Sequence, residues 1–119
     1  MINADQKRKL VTMAEKYYQS GGSKTDTDTQ LRKFCEIAKQ SSCVEEFENY
    51  LKYQIGRDPF DFRKGLIKEI ESIKNLAKED PLEAISHYFG YMARFAKFVA
   101  AERRGRRRDS SILLSIDIL

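Results

Sequence analysis

Tryptophan is absent from this 119-residue chain, proline and cysteine occur twice each, and histidine occurs once. Each scarcity removes a class of chemistry. Cys35 and Cys43 stand eight apart with no C-x-x-C pair, and His87 is the lone histidine, so neither a zinc site nor a dithiol redox motif is spelled and no metal or cofactor is expected. The two cysteines read as buried free thiols. No apolar run approaches the roughly 18 residues that cross a bilayer, and no amino-terminal stretch has a secretory apolar segment, so a cytoplasmic protein with no membrane partner is expected. The phosphate loop G-x-x-x-x-G-K-[ST], the G-x-S-x-G elbow and the H-E-x-x-H helix are all missing, and no enzyme is expected. The residues nearest to catalytic patterns have plainer readings. "DTD" at Asp26 to Asp28 opens like a calcium loop but lacks the later glycine and glutamate, and it reads as loop and cap. Asp58 and Asp61 read as charges at a helix start, and His87 as a structural residue of a helix.

What is present is helical. A content of 41% hydrophobic and 34% charged residues suits one compact domain, too small to divide in two. Leu10, Met13, Ala14 and Tyr17 repeat at helical spacing behind a capping box of Asn3 and Gln6, with Gly21 and Gly22 as the stop. After a polar loop, "SKTDTDT", a second helix carries Leu31, Phe34, Cys35 and Ala38 on one face and sets Arg32 and Lys39 together on a flank. Ser42 and Glu45 have capping-box spacing before a third helix with Val44, Phe47 and Leu51 inward and Gly56 as its stop. Asp58-Pro59 and Asp80-Pro81 each join a capping carboxylate to a first-turn proline. The fourth helix then carries Leu66, Ile70, Ile73 and Ala77, and the fifth Ile85, Phe89, Met92, Ala93, Ala96 and Val99. Gly90 interrupts the fifth at a cost of about 1 kcal/mol against alanine, unless close packing demands it. The expected fold is all-α: a compact bundle of about five helices over residues 1–105, with a basic and apolar C-terminal tail over 106–119. The tail "SILLSIDIL" is the one segment with a trace of strand pattern; docking, swapping into a partner and disorder all stay open for it.

Charge and aromatics gather at one end. The formal charge is +4, and residues 94–108 hold seven cations against Glu102, a net of +6 that leaves the rest of the chain at −2. Such a run suits a polyanion, and it equally suits a solvated helix end favoured by the helix dipole, with Gly105 as the stop. Tyr88, Phe89, Tyr91, Phe95 and Phe98 crowd the fifth helix beyond a single stripe, which admits burial on two sides, a subunit interface, or base stacking beside Arg94 and Lys97.

Three stretches, taken in order, resemble the small subunit of the Csm complex, the type III-A CRISPR interference machine: "TQLRKFCEIAK" from Thr29, "YLKYQIGRD" from Tyr50 and "ISHYFGYMARFAKF" from Ile85. The resemblance covers roughly residues 10–99. It implies a non-catalytic helical subunit, present in several copies beside the other Csm subunits, that scaffolds the effector and contacts guide (crRNA) and target RNA through the backbone. Sequence is then read by guide pairing and the protein meets shape and phosphate, so flank cations suffice. By position the resemblance assigns RNA binding to Arg32 and Lys33 in the second helix, Lys52 and Arg57 in the third segment, and Lys97 in the last. An ion pair with Asp58 or Asp61 is the competing role for Arg57. The arginine run and the tail exceed the family pattern and inherit nothing from it. The rival reading is a helical protein- or DNA-binding module, unrelated to CRISPR, that dimerises through its last helix.

Overall fold

The structure is a computed structural model that describes residues 1–21, 27–57 and 62–116, with side chains placed from Lys64 after the second break and up to Gly105 in the last helix. Among the described residues five α-helices follow one another: α1 (Ala4–Gln19), α2 (Asp28–Gln40), α3 (Val44–Arg57), α4 (Leu66–Leu76) and α5 (Pro81–Ile116). A 3₁₀ turn at Phe62–Gly65 leads into α4, and no strand occurs among the described residues.

Local signals fix most of the starts. Asn3 accepts from the Gln6 backbone N–H at 2.8 Å while Gln6 Oε1 accepts from the Asn3 N–H at 2.9 Å, closing the expected box on α1. Gln6 also donates through Nε2 to the Leu76 carbonyl at 3.1 Å, joining the start of α1 to the end of α4. A second box, Thr27 with Gln30, opens α2 inside the stretch expected to be loop. The Ser42–Glu45 box is replaced one position along: Ser42 donates its N–H to Glu46 Oε1 at 2.9 Å, because α3 begins at Val44 and Glu46 is the side chain that reaches back. Pro81 is the first residue of α5, as its fixed φ favours. The companion Asp58-Pro59 start lies outside the described residues.

The glycine stops behave differently. No described glycine has positive φ; α1 closes at Ser20 in the right-handed region, Gly56 lies inside the last turn of α3, and α5 continues through Gly105 to Ile116. The helical backbone is therefore unbroken across the expected boundary between bundle and tail, and residues 111–116 are helical where a trace of strand was read. Nothing stands within 4 Å of where a Cβ would lie on Gly56 or Gly105, so both sit in open, ordinary helix. At Gly65, by contrast, an added Cβ would lie 2.8 Å from Tyr17 Oη, so the Tyr17 ring would have to shift.

α5 is the central element. Ala84, Ile85, Tyr88, Phe89, Met92, Ala93 and Ala96 are buried over about half of its circumference, a face wide enough to need more than one neighbouring helix. On α1 the buried line is Leu10, Ala14 and Tyr18, one position round from the expected Tyr17; Tyr18 meets Phe95 edge-on at 5.9 Å. Since the α1 start lies near Leu76 and its end near Phe95, α1 runs parallel to α5. Phe34 of α2 stacks on Phe89 at 5.1 Å, and Phe47 of α3 tilts against the same ring at 5.7 Å. Leu66, Ile70 and Ile73 of α4, with Ala77 just past its end, complete the core. Among residues whose side chains are placed, Ala96 is the last fully buried residue of α5, Val99 is half-buried against the core, and Phe98 is 56% exposed. No described helix is long and apolar enough to cross a membrane.

Candidate functional site

A groove of about 500 Å³ runs between α2 and α5. Its floor is set by a contact of 3.4 Å between Cys35 Sγ and Ser86 Oγ, and Ala38 and Gly90 lie beside it. Lys39 and Ser41, near the end of α2, share the groove with Leu82 and Glu83, from the start of α5, so the two helices are antiparallel. Lys39 lines the α2 side toward the Leu82 and Glu83 end, and His87, Tyr91 and Arg94 form the α5 wall, with Arg94 at the other end.

That wall is ordered by stacking. The His87 and Tyr91 rings lie 5.7 Å apart at 21°, and the Arg94 guanidinium stands 5.9 Å from the Tyr91 centroid. Residues at i, i+4 and i+7 form one line on a helix, so His87, Tyr91 and Arg94 make a short ladder along α5. Glu83 Oε1 is 3.7 Å from His87 Nε2, which puts the one carboxylate lining this groove at the far end from Arg94. Lys39 is 3.4 Å from Glu36, an exposed pair of little strength.

The five positions assigned from the resemblance are exposed and do not form one patch. Arg32 shares a flank with Lys39, seven residues on, and stands 3.9 Å from Asp28. Lys97 lies seven after Gly90 and three after Arg94, on the groove line of α5; the antiparallel arrangement brings Arg32 and Lys97 toward the same end. Lys33 falls on the opposite side of α2. Lys52 and Arg57 belong to α3, which packs through Phe47 and Tyr50 on the side of Phe34 and Phe89, away from the groove line. The Arg57 guanidinium lies 5.6 Å over Tyr53, itself 59% exposed; the expected alternative partners, Asp58 and Asp61, lie outside the described residues.

Other expected features moved. Cys35 is half-buried and Cys43 is exposed in the turn before α3, so the reading of both as buried thiols is corrected. Tyr88 and Phe89 are core, while Tyr91 and Phe95 are half-buried. No cluster of three or more metal-capable side chains occurs among the described residues. The cations Lys39 and Arg94 were visible in the sequence, yet nothing there placed them along one groove, because that depends on how α2 and α5 pair. The chain matches no protein-family model, no curated protein and no solved structure.

Proposed function

We propose that this protein is a non-catalytic small subunit of a type III-A CRISPR (Csm) effector, scaffolding the complex in the cytoplasm and holding guide and target RNA through phosphate and shape. The support is one arrangement. Two of the three stretches that resemble the family, those on α2 and α5, meet across a groove whose sides carry Lys39 and Arg94 and whose end is flanked by Arg32 and Lys97. Cations contributed by two elements to one concave track fit a polyanion better than cations scattered round a bundle. The third stretch, at the end of α3, adds Lys52, Arg57 and the exposed Tyr53 ring on another face, as expected of a subunit that touches more than one strand or neighbour.

Co-expression with the remaining Csm subunits and a guide tests the assembly: the chain should co-purify in more than one copy, and failure to enter the complex would remove the proposal. RNA binding is tested by anisotropy with single-stranded oligomers over a salt series. Affinity should fall steeply with salt and be indifferent to base sequence, and a combined Arg32→Gln, Lys52→Gln, Arg57→Gln variant should flatten the slope while keeping its helicity. A salt-independent interaction, with a discrete particle of twice the chain mass, would favour the rival homodimeric module instead.

A further inference from the structure

We infer that α5, where it leaves the bundle, is a track for a single RNA strand: Arg94, Lys97 and Arg104 take its phosphates, and the exposed Phe98 ring takes a base by stacking. The inference rests on the RNA-binding reading above and names the surface and the stacking residue. Three observations carry it.

The first is helical register. Arg94, Lys97, Ala101 and Arg104 follow one another at i, i+3, i+7 and i+10, which sets them along one side of α5. At 1.5 Å per residue the three cations span about 15 Å of a single helix, so their alignment needs no contact between elements. Arg94 is held at one end of this line, its guanidinium 5.9 Å from the Tyr91 centroid. Glu102, the one acid from Arg94 to Arg104, follows Ala101 and lies about 100° round the axis, off the line.

The second is exposure. Arg94, Lys97, Phe98, Ala101 and Arg104 are all exposed, and they begin where burial ends, since Ala96 is the last fully buried residue of the helix. Lys97 and Arg104 form no ion pair among the described residues. The fold therefore does not neutralise them.

The third is Phe98. A single exposed apolar side chain is ordinary on a protein surface. This one stands within the cation line, four residues after Arg94 and next to Lys97, and it is 56% exposed. Its ring lies 6.2 Å from that of Phe95, which is itself set against the buried Tyr18 at 5.9 Å, so the exposed ring rests on an anchored neighbour. Ala101, one turn on, is too small to cover it. A flat apolar ring among cations matches a chain that carries both anionic groups and flat π-faces, which is a nucleic acid and not an acidic peptide. The base it meets must be unstacked, which selects a single strand over a duplex. Stacking accepts any base, as contact without sequence reading requires.

The chain has no tryptophan, so Phe98→Trp supplies a lone fluorescent reporter at the ring. A ten-residue oligouridylate at low salt should quench its emission, and polyglutamate should leave it unchanged. Anisotropy of the full chain with the same oligomer, labelled, separates stacking from charge. Phe98→Ala should weaken binding at least about fivefold, the lower bound for one base stack, and keep the log–log salt slope of the parent. A combined Arg94→Gln, Lys97→Gln, Arg104→Gln variant should lower that slope by about 2.1, three phosphate contacts on a single strand. Circular dichroism melts confirm that each variant is folded. Parent-like affinity in Phe98→Ala, or an unquenched Phe98→Trp, would overturn the stacking role. A parent-like slope in the triple variant, alongside a loss in Lys52→Gln/Arg57→Gln, would overturn the α5 track and leave the RNA reading standing. Equal quenching by polyglutamate would overturn RNA as the occupant in favour of an acidic protein surface. A dimer of the parent that Phe98→Ala dissociates, with RNA affinity intact, would assign the ring to self-association instead. No binding by the parent, alone or assembled, would remove both readings.

Discussion

The buried Tyr88 hydroxyl donates to Glu69 Oε1 at 2.7 Å, joining the central helix α5 to the half-exposed face of α4. The aromatic body of Tyr88 belongs to the core and its polar tip finds a charged acceptor at the core edge. A buried phenol without such a partner would be unfavourable.

Tyr88→Phe should therefore cost about 1.5–3 kcal/mol, the range for a hydrogen bond to a charged group, since the ring still fills its space and only the donor is lost. Glu69→Gln keeps an acceptor oxygen and should cost less. Urea denaturation of the two variants measures the order; equal losses would mean that charge, and not the hydrogen bond, carries the contact.

The same pair sets an alkaline limit. Burial first, then the Glu69 charge and its hydrogen bond, with a smaller contribution from Tyr17, push the Tyr88 phenol well above its ordinary value near 10. The unfolded chain releases this proton near pH 10 and the native chain retains it. The stabilisation is thus complete below pH 10 and declines above it by about 1.4 kcal/mol per pH unit. Absorbance at 295 nm should show a tyrosine ionisation that occurs only with unfolding, and Tyr88→Phe should reduce that late step by one tyrosine.

Two glycines should respond oppositely to alanine. Gly90→Ala gains helix propensity with only an ordinary contact to Cys35, and should stabilise by about 0.5–1 kcal/mol. Gly65→Ala forces a Cβ to 2.8 Å from Tyr17 Oη and 3.0 Å from its Cε1, so the half-buried ring must shift. It should fall below Gly90→Ala by about 1–2 kcal/mol. Thermal melts of both test the contrast, and equal midpoints would show that the Tyr17 ring yields freely.

Deleting residues 106–119 removes Arg106 to Arg108, three of the five arginines of the run, from the bundle. α5 extends to Ile116, so Arg103 to Arg108 stand at least two turns before its end, where the dipole gives them little. That removes the bland account in which the run merely serves the helix terminus. The deletion keeps every buried residue named in the core, all at or before Ala96, and should leave the melting midpoint within a few degrees while reducing mean helicity. RNA affinity at low salt should fall; an unchanged affinity would make the run a solvated extension.

Capping chemistry and apolar spacing acted within a few residues, and they made the five helices and most inward faces legible before any tertiary contact was known. Asn3 with Gln6, Pro81 and the lines Leu31–Phe34–Ala38 and Leu66–Ile70–Ile73 stand as their spacing required. The misreadings were also local: Thr27 rather than the polar loop opens α2, and Gly105 does not stop α5, because glycine permits a left-handed turn without compelling one. Composition and order of residues thus determined an all-α bundle with its basicity gathered late in the chain. Only the tertiary structure decided which cations line one groove. The groove arises from the antiparallel pairing of α2 with α5, and that pairing is settled by Phe34, Phe47 and Phe89 packing together across helices. Lys39 and Arg94 lie 55 positions apart in the chain, and no periodicity within either helix could relate them.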